Sequence, residues 1–112
     1  MSSIIAVTEH NYTDEVELSE LPVLIDFWAP WCAPCRALAP TIEEVAQKYD
    51  GKIKVVKINV DEAKPLSDRF GVKGIPALFI IKDGNIAARP QVSNRTRLFA
   101  LLDTQLAPEH KS

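Results

Sequence analysis

The chain has 112 residues, 46% of them apolar, with a formal charge of -2 and a pI near 5.6. That length supports one hydrophobic core and is too short for two, so a single domain spanning 1–112 is expected, its core running from about residue 4 to about residue 106. Lysines and arginines are scattered among acids, which argues against nucleic acid as a partner; no run is apolar enough to span a bilayer, and Met1 to Glu9 lacks a basic leader, so the expected address is the cytoplasm.

Ile4 to Val7 is a short apolar run that reads as a strand, and Val16 and Leu18 sit in an acidic stretch suited to a short surface helix. Val23 to Ala29 is almost continuously apolar, which fits a central strand covered on both faces and ended by Pro30. From Cys35 onward, Leu38, Ala39, Ile42, Val45, Ala46 and Tyr49 recur at steps of three and four. A helix therefore begins at the cysteines, bends at Pro40, where a backbone donor is missing, and stops at Asp50-Gly51.

Lys52 to Asp61 reads as a second covered strand, with Val56, Ile58 and Val60 on one face and Ile53 and Val55 on the other. Strand, helix and strand together imply a right-handed parallel crossover. Lys64 to Phe70 forms a short helix ended by Gly71, and Ala77 to Ile81 is a strand. Asp83-Gly84 turns that strand into an antiparallel hairpin with Ile86 to Ala88. Leu98, Leu101, Leu102 and Leu106 mark a terminal helix from Arg95, followed by a frayed tail from Pro108 to Ser112. The pattern is that of an α/β protein.

Trp31-Cys32-Ala33-Pro34-Cys35 holds the only two cysteines in the chain. A pair at this spacing can close as a disulfide or open as a dithiol. A thiol must ionise before it attacks, and a helix N-terminus stabilises the anion through its partial positive charge and unpaired amide donors. Cys32 is placed for that role. Cys35 starts the apolar stripe of the helix, so it is expected to be the more buried thiol and to resolve the mixed disulfide that Cys32 forms with a client. The competing readings are a static disulfide, inert thiols, or zinc. His10 and His110 have no ligand spacing to the cysteines, which leaves a zinc site shared between two copies as the metal alternative.

Asp26 interrupts the central strand, where burial raises a carboxyl pKa, and it could take the Cys35 proton. Lys57, between Val56 and Ile58, could lie near it on a neighbouring strand; the alternatives are a satisfied structural carboxyl and a lysine reaching out to solvent. Gly74-Ile75-Pro76 precedes a strand and could wall the disulfide, with the Ile75 backbone pairing with an extended client. Sequence alone leaves the Ile75-Pro76 peptide geometry open. Trp31 is expected at the surface as an apolar docking element, and Trp28 in the core beneath.

These residues resemble the thioredoxin family from about Ile4 through Leu106. The match is carried by Asp26-Phe27-Trp28-Ala29-Pro30-Trp31-Cys32, Pro34-Cys35, Pro40, Lys57-Ile58-Asn59-Val60-Asp61, Gly71-Val72, Gly74-Ile75-Pro76 and Asp83-Gly84. The resemblance implies a thioredoxin fold, a central mixed five-stranded sheet flanked by four helices. It implies a general protein-disulfide reductase with no bound cofactor, acting on disulfide-containing clients and recharged by an NADPH- or ferredoxin-dependent thioredoxin reductase, as a monomer. It also implies Cys32 as nucleophile, Cys35 as resolving thiol, Asp26 as proton-transfer group with Lys57 nearby, and Pro76 in cis. Trp31, Ala33, Pro34, Gly74, Ile75 and Pro76 are the residues expected to meet substrate.

The chain departs from the family in two places. Ala33 stands where glycine is usual, and its methyl group narrows backbone freedom. No histidine lies between the cysteines to stabilise the thiolate further, which favours a reducing protein over a strong disulfide donor. Arg89-Pro90-Gln91-Val92-Ser93-Asn94 replaces a valine-glycine loop, so side chains are expected to enter the substrate groove. The runner-up function is a binding module that uses the same groove without turnover.

Overall fold

Why the chain folds around Val23–Trp28 is visible in its burial. Five of these six residues are buried in the computed structural model, which describes residues 3–106. The elements are β1 (Ile5–Ala6), α1 (Thr13–Glu17), β2 (Val23–Trp28), α2 (Ala33–Lys48), β3 (Lys54–Asn59), α3 (Lys64–Arg69), β4 (Ala77–Lys82), β5 (Asn85–Ala88) and α4 (Arg95–Leu106). They form a five-stranded mixed sheet in the order β1-β3-β2-β4-β5 with four helices. Strand β3 runs parallel to β1 and β2, while β4 runs antiparallel to β2 and β5. The tail from Pro108, with His110, lies outside the described residues.

Alternation along the strands sorts side chains into two cores. Val23, Ile25, Phe27, Val56 and Ile58 pack on one side with Val16 of α1 and Leu66 of α3. Leu24, Val55, Leu78 and Ile80 pack on the other with Ile42 and Val45 of α2 and Leu98 and Leu102 of α4. The two-faced reading of Lys52 to Asp61 is therefore correct. Period-two geometry places Asp26 and Lys57 on the face that α2 covers, with Leu24 and Val55. On the opposite face, Phe70 packs against Phe79 and Phe27, with ring centres 4.9 and 5.3 Å apart. Burying one such ring is worth about 1.5–3 kcal/mol, so Phe27→Ala would open a cavity in the middle of the sheet.

Local signals end the elements as expected. Helix α2 continues unbroken through Pro40, and Gly51 follows its last turn at φ 78°. Gly71 ends α3 at φ 67°. Asp83 and Gly84, at φ 54° and 81°, supply the paired left-handed residues that a two-residue hairpin needs. Helix α1 is a wide turn, in which the Leu18 amide donates to the Thr13 carbonyl five residues back at 2.9 Å. Among the described residues, no helix is long and apolar enough to cross a membrane.

Candidate active site

Strand β2 delivers the chain to a tight turn in which the Cys32 amide donates to the Ala29 carbonyl at 3.1 Å. Cys32 has extended backbone (φ -92°, ψ 106°) and forms the N-cap of α2, with Ala33 and Pro34 in its first turn. Proline is tolerated there because those amides have no partner within the helix. The Cys35 amide donates to Cys32 Sγ at 3.2 Å, so the sulfur does the work of a capping oxygen. Arg36 ties the turn to the helix by donating from Nη1 to the Pro30 carbonyl at 2.8 Å.

Cys32 and Cys35 are joined as a disulfide, with Cα atoms 5.2 Å apart. The expectation that Cys35 is the more buried of the two is not met, since both residues are 4% exposed. The reason is long-range packing. Ala29, Cys32 and Cys35 form a small apolar cluster against Trp28, Val60 and Ile75. The Ile75 carbonyl oxygen lies 3.8 Å from Cys32 Sγ. The Gly74-Ile75-Pro76 segment thus covers the first cysteine, and its Ile75-Pro76 peptide is cis.

Trp31 is 66% exposed, as its position predicts, yet it is tethered: its indole Nε1 donates to Asp61 Oδ2 at 2.8 Å. The Asp61 amide in turn donates to Asn59 Oδ1 at 2.9 Å. Trp28 is half-buried beneath the site, with Lys57 Nζ 4.3 Å from its ring centre.

Asp26 is 2% exposed, and its Oδ1 meets no hydrogen-bond donor of the protein. Burial pushes its carboxyl pKa up to about 6, against an opposing pull from the Lys57 ammonium. The two residues are direct partners in the β2–β3 ladder. Parallel pairing therefore produces the proximity that no local pattern announces.

Two grooves flank the disulfide. One, of about 530 Å³, is lined by Trp31, Asp61, Lys64, Asp68, Lys73 and Ile75 among others. The second, of about 380 Å³, lies between Pro34 and Pro76 and includes Val92, Ser93 and Arg95. Val92 and Ser93 of the altered loop line this groove. Of the ten residues singled out from the sequence, Cys32, Ala33, Pro34 and Cys35 lie at the helix start, Trp31 before it, and Gly74, Ile75 and Pro76 line the flanking grooves, while Asp26 and Lys57 pair in the strands, with Lys57 reaching the Trp28 ring. The sequence assigned no role to Asp61 or to Glu44 of α2, which accepts from Arg95 at the start of α4. The run from Lys57 to Asp61 carried part of the first signal, and nothing local encoded the second. Among the described residues, no group of three or more His, Cys, Asp or Glu side chains is arranged to hold a metal ion.

A redox-active pair across the first turn of a helix, at the end of a central strand of a mixed sheet, defines a thiol-disulfide oxidoreductase. Comparison with known proteins agrees. The thioredoxin family model matches residues 3–104. Thioredoxin 1 of a Nostoc species is 51% identical over 84 residues, covering 75% of this chain and 78% of that protein. Thioredoxins of Pseudomonas aeruginosa and Haemophilus influenzae are each 41% identical, over 92% and 96% of this chain and 96% and 94% of theirs. The chain belongs to the thioredoxin family, and its activity is protein-disulfide reduction.

Proposed function

We propose that Cys32 is the attacking sulfur, Cys35 the resolving sulfur and Asp26 the proton acceptor that serves Cys35, with Lys57 holding the Asp26 charge in check. In the reduced protein, the Cys32 thiolate attacks one sulfur of a client disulfide. A Cys32–client bond forms, the client S–S bond breaks, and the departing sulfur takes up a proton. Cys35 then gives its proton to the Asp26 carboxylate and attacks Cys32 Sγ. The Cys32–client bond breaks, the departing client sulfur takes up a proton, and the client leaves as a dithiol carrying two electrons while the Cys32–Cys35 disulfide is restored. A thioredoxin reductase, dependent on NADPH or ferredoxin, recharges the pair, and no bound cofactor takes part.

The observation that carries this reading is the Cys35 amide donating to Cys32 Sγ at the helix cap, a donor placed to stabilise a thiolate on the first cysteine. An Asp26 pKa of about 6 supports the proton transfer, because a carboxylate poised there is ionised at neutral pH and still basic enough to accept. Ala33, Pro34, Trp31, Gly74, Ile75 and Pro76 form the docking surface, and the Ile75 backbone pairs with an extended client. The chain acts as a single-domain monomer in the cytoplasm, where a reducing environment keeps the dithiol charged.

The test is mixed-disulfide trapping. Cys35→Ser should accumulate client adducts that reductant releases, and Cys32→Ser should accumulate none. Equal adducts on both variants, or none on either, would sink the assignment.

A further inference from the structure

Positive and negative side chains mix along most of the chain, but residues 89–97 hold three of its five arginines and no acid. Two of the three, Arg89 and Arg97, line one groove of about 320 Å³ with Pro90, Gln91, Asn94 and Leu101. No carboxylate belongs to that lining. The altered loop therefore divides its side chains, with Val92 and Ser93 on the groove beside the disulfide and Arg89, Gln91 and Asn94 on this one.

Elsewhere in the molecule each arginine has found an oxygen. Arg36 donates to the Pro30 carbonyl, Arg69 to Glu17 and Arg95 to Glu44. Among the described residues, the guanidinium groups of Arg89 and Arg97 have no such acceptor. Arg89 rests 5.2 Å from the Phe79 ring centre, a contact with the guanidinium that supplies no acceptor to its N–H donors. Arg97 stands in the first turn of α4, which contains no acid, and the partial positive charge of a helix N-terminus opposes a cation there. Glu44 relieves Arg95 of that repulsion. Arg97 has no equivalent relief among the described residues, and a bound anion would provide it.

The number of arginines selects the anion. One guanidinium satisfies a carboxylate with two parallel bonds, as Arg95 does with Glu44 through Nε and Nη2. Two guanidinium groups on one groove exceed that need and match a phosphate monoester, which carries nearly two charges and three acceptor oxygens. We infer that Arg89 and Arg97 form a binding site for a phosphate monoester, with the side-chain amides of Gln91 and Asn94 as neutral donors. Small phosphorylated molecules and phosphoserine share that chemistry. The site is separate from the redox pair and does not depend on which sulfur attacks.

The experiment titrates the oxidised full chain, isotope-labelled, and follows its backbone amide signals by NMR at about pH 8, where the phosphate is a dianion. The probes are inorganic phosphate, a sugar phosphate, a cysteine-free phosphoserine peptide with its serine counterpart, acetate and a short DNA duplex. The phosphate monoesters and inorganic phosphate should move the Gln91, Asn94 and Arg97 amides saturably and bind at least about tenfold tighter than acetate. Arg89→Gln and Arg97→Gln should each weaken binding by about tenfold, and Arg95→Gln by less than about twofold because Glu44 already engages it. The remaining signals report whether each variant is folded.

Tighter binding of the phosphopeptide than of the sugar phosphate supports the site and names a phosphorylated partner as the source; the reverse order supports it and names a small ligand. Several outcomes overturn the inference: no saturable shift at these amides, acetate or the serine peptide binding as well as the phosphate probes, or an unchanged affinity in a folded Arg89→Gln or Arg97→Gln variant. DNA binding as tightly as the monoesters also overturns it, in favour of a general attraction for polyanions.

Discussion

The two walls of the disulfide are built on opposite principles. The Trp31 wall exposes a large aromatic ring and holds it with directional bonds, Trp31 to Asp61 and Asp61 to Asn59. On the Val92 wall, residues 89–94 are neither strand nor helix, and the exposed valine offers only apolar surface. That wall is pinned at one end, where the Arg97 amide donates to Asn94 Oδ1 at 2.9 Å and Arg95 joins Glu44. Exposure is therefore a poor guide to freedom, because the more exposed residue is the more firmly tethered. A tethered wall suits docking common to all clients, and an apolar edge suits discrimination among them.

The comparison holds only if the chemistry beneath is independent of both walls, and the largest expected effect tests that. Asp26 has a folded-state pKa of about 6 against an ordinary value of 3.8. The folded state thus holds its proton more tightly than the unfolded chain. Its contribution to stability is complete below about pH 4 and is lost as pH rises through 6. The difference amounts to about 3 kcal/mol on the acid-to-alkaline span. Asp26→Asn should accordingly stabilise the oxidised protein by up to about 3 kcal/mol at pH 8, the gain shrinking toward pH 4 in denaturant titrations. A gain that is constant across pH would show that ionisation is not its cause. The variant should leave the ranking of client peptides unchanged, and a reordered ranking would break the separation between strand and walls.

A smaller effect sharpens the contrast on the Trp31 side. Asp61→Ala removes the acceptor for the indole, a bond worth about 1 kcal/mol. Reduction of every client should slow by about threefold to fivefold together, with lower fluorescence anisotropy from the freed ring. A loss confined to one class of peptide would mean that this wall also discriminates.

The smallest effect concerns Glu44. Its pair with Arg95 is exposed, and such pairs contribute little to stability. Glu44→Gln should leave thermal stability nearly unchanged while improving reduction of peptides with aspartate beside the client cysteine by about twofold through the uncovered guanidinium. No change in their kcat/KM would show that clients do not sense the arginine's charge.

Much of this architecture was legible from residues alone because its causes are local. The apolar run from Val23 marks the central strand, the opposed faces of Ile53 to Val60 foretell two cores, and Asp83-Gly84 dictates the hairpin. The dithiol and its helix were legible for the same reason. What escaped was set by distant contacts. Cys32 is as buried as Cys35 because Ile75, 43 residues away in sequence, lies over it. The sequence raised Lys57 as a neighbour of Asp26, and only the ladder register makes them direct partners. The ties from Trp31 to Asp61 and from Arg95 to Glu44 span 30 and 51 residues. Pairing register and loop packing leave no periodic trace.

The sulfur at the head of α2 has a mechanical consequence. One atom serves both as the reacting centre and as the clasp that finishes the helix, and the amide in that clasp belongs to the second cysteine. An amide hydrogen bond needs only a lone pair on sulfur, which disulfide and thiolate sulfur both carry, so this clasp makes no demand that the scaffold be rebuilt as electrons are loaded and unloaded. The shuttle is geared like a ratchet pawl fixed to its own wheel, whose tooth is always within reach of the next notch.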